Sequence, residues 1–368
     1  MGLAAAMGIG RFAFTPLLPL VQAAGLTLTQ GAWLAGANYL GYLMGAVACT
    51  AWSPAPQRAA RLGLLAVTLL TLAMGAASSF SAWMLLRWAA GVASAFVLVG
   101  ISAWALAGLA AQQRSDASGT VYAGVGIGMV VAGLAALGVA LAGRPAATGW
   151  WLLGGLSALV TTAVWRPLQS PAPGLVPSAN VTRTASAPSN RLLVACYGAF
   201  GFGYILPATF LPAMARQLVA DPAVFGWTWP VFGAAAAAST WIAGRFFRAV
   251  APRTLWAGSQ LVMAFGVLIT AFAAQSLAAL VAGAVCVGAT FMVATMAGMQ
   301  EARRVGGAGA ARLMAAMTSA FGAGQFIGPL TVGAAPGLAL QSGIAAALLL
   351  LSSALLLFTR RTSAAQPV

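Results

Sequence analysis

Two arginines stand inside long apolar stretches: Arg11 in the run from Met1 to about Gly25, and Arg87 in a run near 82–108. A run of that length crosses a bilayer as one helix. Arg11 lies roughly 16 Å along it at about 1.5 Å per residue. A permanent cation at that depth costs at least ~2.5 kcal/mol unless something satisfies it. A guanidinium presents a planar fork that matches a carboxylate, phosphate or sulfonate. Arg11 therefore has two readings: a contact for an anion, or a structural arginine capped by carbonyls of a neighbouring helix. On a regular helix Gly8, Arg11, Thr15 and Gln22 fall on one face at spacings of three, four and seven. Arg87 has the same two readings. Gly91 and Ser94 share its face, which allows close approach of a neighbour, and its place near a helix end would also let it snorkel. Asn38 and Tyr42, one turn apart, and Gln325, in a glycine-rich stretch, add hydrogen-bonding groups suited to a cavity or to helix contacts.

The rest of the inventory is sparse. The acids are Asp116, Asp221 and Glu301, all expected in connections or at span ends, and there is no histidine. A mid-membrane proton relay normally uses such groups, and none is placed for it. No Gly-rich phosphate loop with a lysine, no nucleophile–base pair and no metal-ligand cluster is visible, so neither an enzyme nor a cofactor is expected. Cys49, Cys196 and Cys286 fall in separate apolar runs and read as small core residues.

Composition says what must position these side chains. Of 368 residues, 61% are hydrophobic and 6% charged, and the mean hydropathy is +0.93. A water-soluble domain needs more surface charge than that. The net charge of +15 has no soluble basic face to sit on, which argues against nucleic acid as a partner. Apolar runs predict helices at about 1–24, 31–52, 62–78, 82–108, 119–143 and 147–165, then 191–214, 223–246, 254–274, 276–299, 310–333 and 336–358. Twelve spans put both termini on one side. Of the eighteen cations, all arginine, Arg11 and Arg87 are inside spans, Arg144 and Arg216 fall in outer connections, and the other fourteen fall in inner ones. That bias predicts cytoplasmic termini. Met1 sits almost at the first span, which predicts either a native start upstream or a trimmed chain. Residues 166–190, rich in Pro, Ser and Thr, read as a flexible linker, and the sequon Asn180-Val-Thr182 within it is discounted because the linker is expected inside the cell. The expected organisation is a bundle at 1–165, the linker, and a second bundle at 191–368.

The halves are related. Gly201-Phe-Gly203-Tyr204 and Phe210-Leu-Pro212 repeat Gly8-Ile-Gly10-Arg11 and Leu17-Leu-Pro19 at a constant offset of 193, so Tyr204 occupies the repeat position of Arg11. Arg87-Trp-Ala-Ala-Gly91 resembles the fourth-helix Arg-x-x-x-Gly motif of the major facilitator superfamily. Gly124-x-x-x-Gly128 resembles its fifth-helix glycine motif, with Met129 where proline is usual; Gly324-Gln-Phe-Ile-Gly328-Pro329 carries that proline. The loop motif between the second and third helices is poorly kept in Ser53-Pro-Ala-Pro-Gln-Arg58, as is its counterpart Gly244-Arg245-Phe-Phe-Arg248. Residues 8–19, with Trp33-Leu-Ala-Gly-Ala-Asn38-Tyr39-Leu-Gly41-Tyr42, resemble the YbfB/YjiJ-type branch.

The resemblance implies an all-α membrane protein of two pseudo-symmetric six-helix bundles in a bacterial inner membrane. It implies a secondary active or facilitative transporter that works by alternating access on a small solute and lies in the lipid bilayer as a monomer, a coupling ion being left open. Arg11, Thr15, Asn38, Tyr42, Arg87, Tyr204 and Gln325 are the candidates for binding or gating. Gly91, Gly124, Gly128, Gly324 and Gly328 are expected to pack helices. The unpaired arginines favour an organic anion as solute. The alternatives are a multidrug-type exporter of neutral or cationic compounds and, from another class, a non-transporting receptor or scaffold.

Overall fold

The computed structural model describes residues 1–170, 188–272, 275–332 and 338–364. Most of the expected linker, with its sequon, lies outside them. Twelve long helices are present among the described residues: α1 (Ala4–Ala23), α2 (Leu28–Trp52), α3 (Pro56–Ala76), α4 (Phe80–Ala111), α5 (Ser118–Leu141), α6 (Ala146–Trp165), α7 (Pro188–Leu218), α8 (Thr228–Phe246), α9 (Pro252–Phe272), α10 (Leu277–Gly306), α11 (Ala310–Val332) and α12 (Leu338–Ala364). The single helix expected at 223–246 is broken. Asp221 caps a one-turn helix, Pro222–Phe225, and α8 starts after the turn at Gly226-Trp227.

Among the described residues, eight stretches are long and apolar enough to cross a membrane, one of them, Leu277–Gly328, running through both α10 and α11. Among the described residues α2 and α8 fall outside these stretches, because their Gly, Trp, Pro and amide content lowers their hydropathy.

Packing repeats with a period of six helices. In the first half α1 packs on α5, α2 on α4, and α3 on α4 and α6; in the second α7 packs on α11, α8 on α10, and α9 on α10 and α12. The halves meet through α5 with α8 and through α2 with α11, a pair of contacts that the same sixfold shift exchanges. The 193-residue offset holds atom by atom: a Cβ on Gly8 would press on the backbone of Gly128, and one on Gly201 on the backbone of Phe321. The α5–α8 seam is close along its length, since Gly119 abuts Gly244, Gly126 abuts Gly233 and Ala237, and Gly133 abuts Pro230.

Helix α1 is irregular. Residues Ala4–Arg11 wind as a π-helix, a turn follows at Phe12-Ala13, and Phe14–Ala23 is α-helical. Pro16 and Pro19 lack the N–H groups that a continuous ladder needs. The wider winding turns less per residue, so Gly8 and Arg11 do not share the face that a regular helix would give them. Gly8 packs on α5, while Arg11 turns toward α2 and α11.

Candidate functional site

Four helices hold the two arginines in place. Gly91 lets α4 lie against α2 so closely that a Cβ there would sit 2.1 Å from the Asn38 carbonyl oxygen. Asn38 Nδ2 donates to the Arg87 carbonyl at 2.9 Å and ties the two helices together. Arg87 in turn donates through both terminal nitrogens, at 3.4 and 3.3 Å, to the carbonyl of Arg11. That oxygen lies where α1 changes from π to α winding, so the ladder irregularity supplies an acceptor for the cation. The Arg87 guanidinium also covers the Phe14 ring at 4.8 Å. It is 3% exposed and does not snorkel to an interface.

Arg11 is 2% exposed. Its guanidinium carbon lies 3.6 Å from the centre of the Tyr42 ring, a stacked cation–π contact. One terminal nitrogen, Nη2, donates to Gln325 Oε1 on α11, and Gln325 Nε2 donates to the Tyr204 hydroxyl on α7. The side chain at Arg11's position in the first half is therefore joined through one amide to its repeat-related position in the second. Tyr204 is fixed between the rings of Phe291 and Phe321, at 5.5 and 5.4 Å.

Polar groups remain unmatched. Among the described residues, Arg11 Nε and Nη1, Arg87 Nε, Asn38 Oδ1 and the Tyr42 hydroxyl are buried without a hydrogen-bond partner. Buried donors of this kind are normally satisfied, and leaving one unmade costs about 1–3 kcal/mol, more for a charged group. Among the described residues no carboxylate reaches them. Asp116 lies in the turn Ser115–Ala117, Asp221 caps the short helix, and Glu301 is taken by Arg253 and Arg304. Those are all the acids the chain has.

The site is buried, with a cavity on one side and contacts between the halves on the other. A cavity of about 1170 Å³ opens at the arginine-rich end, lined among others by Cys49, Val99, Met296, Arg248, Arg303 and Arg312. Tyr42 lies two turns deeper along α2 than Cys49. At the other end, Tyr39 and Thr209 hydroxyls are 2.7 Å apart, and Arg216 donates to the Pro19 carbonyl at 2.9 Å. The Phe12 ring lies against Trp229 and Phe291 across the halves. A smaller space of about 140 Å³ remains beside Pro16, Pro19 and Trp229.

Of the residues singled out in the sequence, Arg11, Asn38, Tyr42, Arg87, Tyr204 and Gln325 come together. Thr15 is buried one turn beyond Arg11 with no hydrogen bond to it among the described residues. Gly91, Gly128, Gly324 and Gly328 make approaches that a Cβ would block, whereas Gly124 has room for one, its nearest neighbours lying 3.7 Å away. Sequence reasoning missed Tyr39, Thr209, Phe12, Phe291, Phe321 and the role of Arg216, which belongs to α7 and not to an outer connection. Tyr39 adjoins Asn38 and Phe12 adjoins Arg11, so both had a local signal; the others are joined to the site only through space.

Residues 3–362 match the family described as "Uncharacterised MFS-type transporter YbfB". No curated protein matches the chain. Among solved structures, the crystal structure of the human organic anion transporter MFSD10 (TETRAN) superposes with a TM-score of 0.72 and 16% identity, over 96% of this chain and 98% of that one. Such identity supports the shared fold alone. Matched over nearly its whole length, the chain belongs to the YbfB-type family of major facilitator superfamily transporters.

Proposed function

We propose that this membrane transporter moves a small organic anion by alternating access, with Arg11 as its principal contact and Arg87 as the clamp that holds α1. The observation that carries this reading is the pair of buried guanidiniums with open donors in a chain whose three acids are all elsewhere. A carboxylate, phosphate or sulfonate would supply both the missing charge and the missing acceptors. A cationic solute would instead face two cations with nothing to offset them. The MFSD10 structure, titled as that of an organic anion transporter, agrees with the class and adds nothing on this chain's solute.

In this reading the bundles are 1–165 and 191–368, joined by 166–190, and no catalysis is involved. The termini and the arginine-rich end face the cytoplasm of a bacterial inner membrane, because the sequence assigns fourteen of the eighteen arginines to inner connections. The large cavity is then the inward path. Opening outward would break the Tyr39–Thr209, Arg216–Pro19 and Arg11–Gln325 links and close the cavity, with α5–α8 and α2–α11 as the surfaces that rock.

The test is a thermal-shift screen of the purified protein against matched anions, cations and neutral solutes, since a ligand stabilises the state it binds. Stabilisation confined to anions is expected. Stabilisation by organic cations and not by anions would favour the exporter reading.

A further inference from the structure

We infer that the Gln325 side chain holds the place of the substrate's anionic group, so that a bound anion displaces it from Arg11 and thereby unlocks the two halves. This rests on the anion reading above and adds how occupancy is coupled to opening.

The geometry points to a competitor, not to a fixed strut. Arg11 projects from α1 in the first half, and the acceptor it uses is a neutral amide oxygen on α11 in the second. That amide meets only one arm of the fork, leaving Nε and Nη1 without partners. A carboxylate meets a guanidinium with two oxygens and a full charge where the amide offers one oxygen and none, and such bidentate pairing adds energy as well as geometry. The incoming anion therefore wins Nη2 as well as the open donors. Gln325 loses Arg11 but keeps a partner, because the Tyr204 hydroxyl is held in its ring stack on Gln325's own side of the molecule. What breaks is the hydrogen-bonded bridge between α1 and α11, one of the polar links between the halves together with the Tyr39–Thr209 hydroxyl pair. An empty site is thus held shut by the amide, and a filled one has exchanged a link between the halves for a link to cargo.

Two substitutions separate this from a structural role. Gln325→Met keeps the length and removes the amide oxygen, freeing the whole fork. Gln325→Glu keeps the shape and gives Arg11 a resident carboxylate. The probe is benzoate, with benzyl alcohol as neutral control, titrated calorimetrically into the purified full-length protein, with melting temperature recorded alongside. Gln325→Met should bind benzoate roughly tenfold more tightly than wild type, the affinity equivalent of one hydrogen bond to a charged group. Gln325→Glu should lose benzoate binding at least ~100-fold and melt higher than ligand-free wild type. A purely structural Gln325 would weaken binding in both. Wild-type binding with no gain in Gln325→Met overturns the inference and leaves the anion reading standing. Absence of benzoate binding in wild type and Gln325→Met alike overturns the anion reading itself, and this inference with it. Should Gln325→Glu not fold, the direction of change in Gln325→Met decides.

Discussion

A methyl group added at Gly126 tests whether the two halves touch where the fold places their contact. A Cβ there would lie 2.4 Å from Ala237 N and 2.5 Å from Gly233 O, both backbone atoms of α8. Ordinary contact begins near 3.4 Å. Neither atom can swing away as a side chain end would, so the helices must part by roughly 1 Å, or the Gly119–Gly244 and Gly133–Pro230 contacts on either side must loosen. Overpacking of this sort costs about 1–3 kcal/mol. Replacing glycine inside a helix returns about 0.5–1 kcal/mol. Gly126→Ala should therefore destabilise by about 1–2 kcal/mol. Gly138, on the same helix with nothing within 4 Å of its would-be Cβ, is the internal control, and Gly138→Ala should be neutral or up to about 1 kcal/mol stabilising. Thermal unfolding in detergent compares the pair, and solute uptake into proteoliposomes should fall for Gly126→Ala alone. If Gly126→Ala melts with wild type and transports at the same rate, the seam is not the close surface described, and rocking about it loses its basis.

Two further outcomes are expected. Glu301 is fully buried and bonded to Arg253 and to two nitrogens of Arg304, so Glu301→Gln should destabilise by about 2–3 kcal/mol. The figure is below that for a wholly buried pair because the Arg304 side chain is 61% exposed and the amide keeps one acceptor; unfolding at wild-type denaturant concentrations would show that the cluster contributes little. In a background lacking Cys49, Cys196 and Cys286, an impermeant maleimide should label Gly143→Cys in intact cells and Ser115→Cys only after permeabilisation. The reverse pattern would invert the proposed orientation.

The helices were legible in the sequence because a bilayer-spanning helix announces itself by length and hydropathy. The repeat was legible because Gly8 and Gly201 each need a bare Cα against a neighbour's backbone. Arg11 and Arg87 stood out because charge inside an apolar run has no inexpensive explanation. What could not be read was pairing through space. Gln325 is 314 residues from Arg11, and nothing in the local pattern of either names the other as a partner. The face shared by Gly8 and Arg11 failed for a local reason, since the sequence pattern assumed 3.6 residues per turn and the segment before Pro16 winds more widely. Phe291 and Phe321 looked like any other apolar residues; their roles appear only once Tyr204 is between them.

The central claim is that Arg11 meets the solute's anionic group, and the direct measurement is benzoate affinity by isothermal titration in wild type, Arg11→Lys and Arg11→Gln. A hydrogen bond to a charged group is worth about 1.5–3 kcal/mol, so Arg11→Gln should bind about 10- to 150-fold more weakly. Arg11→Lys, which keeps the charge and loses the fork, should fall between. Both should fold, because removing a buried cation also removes its desolvation cost. Binding by folded Arg11→Gln at wild-type affinity would contradict the account.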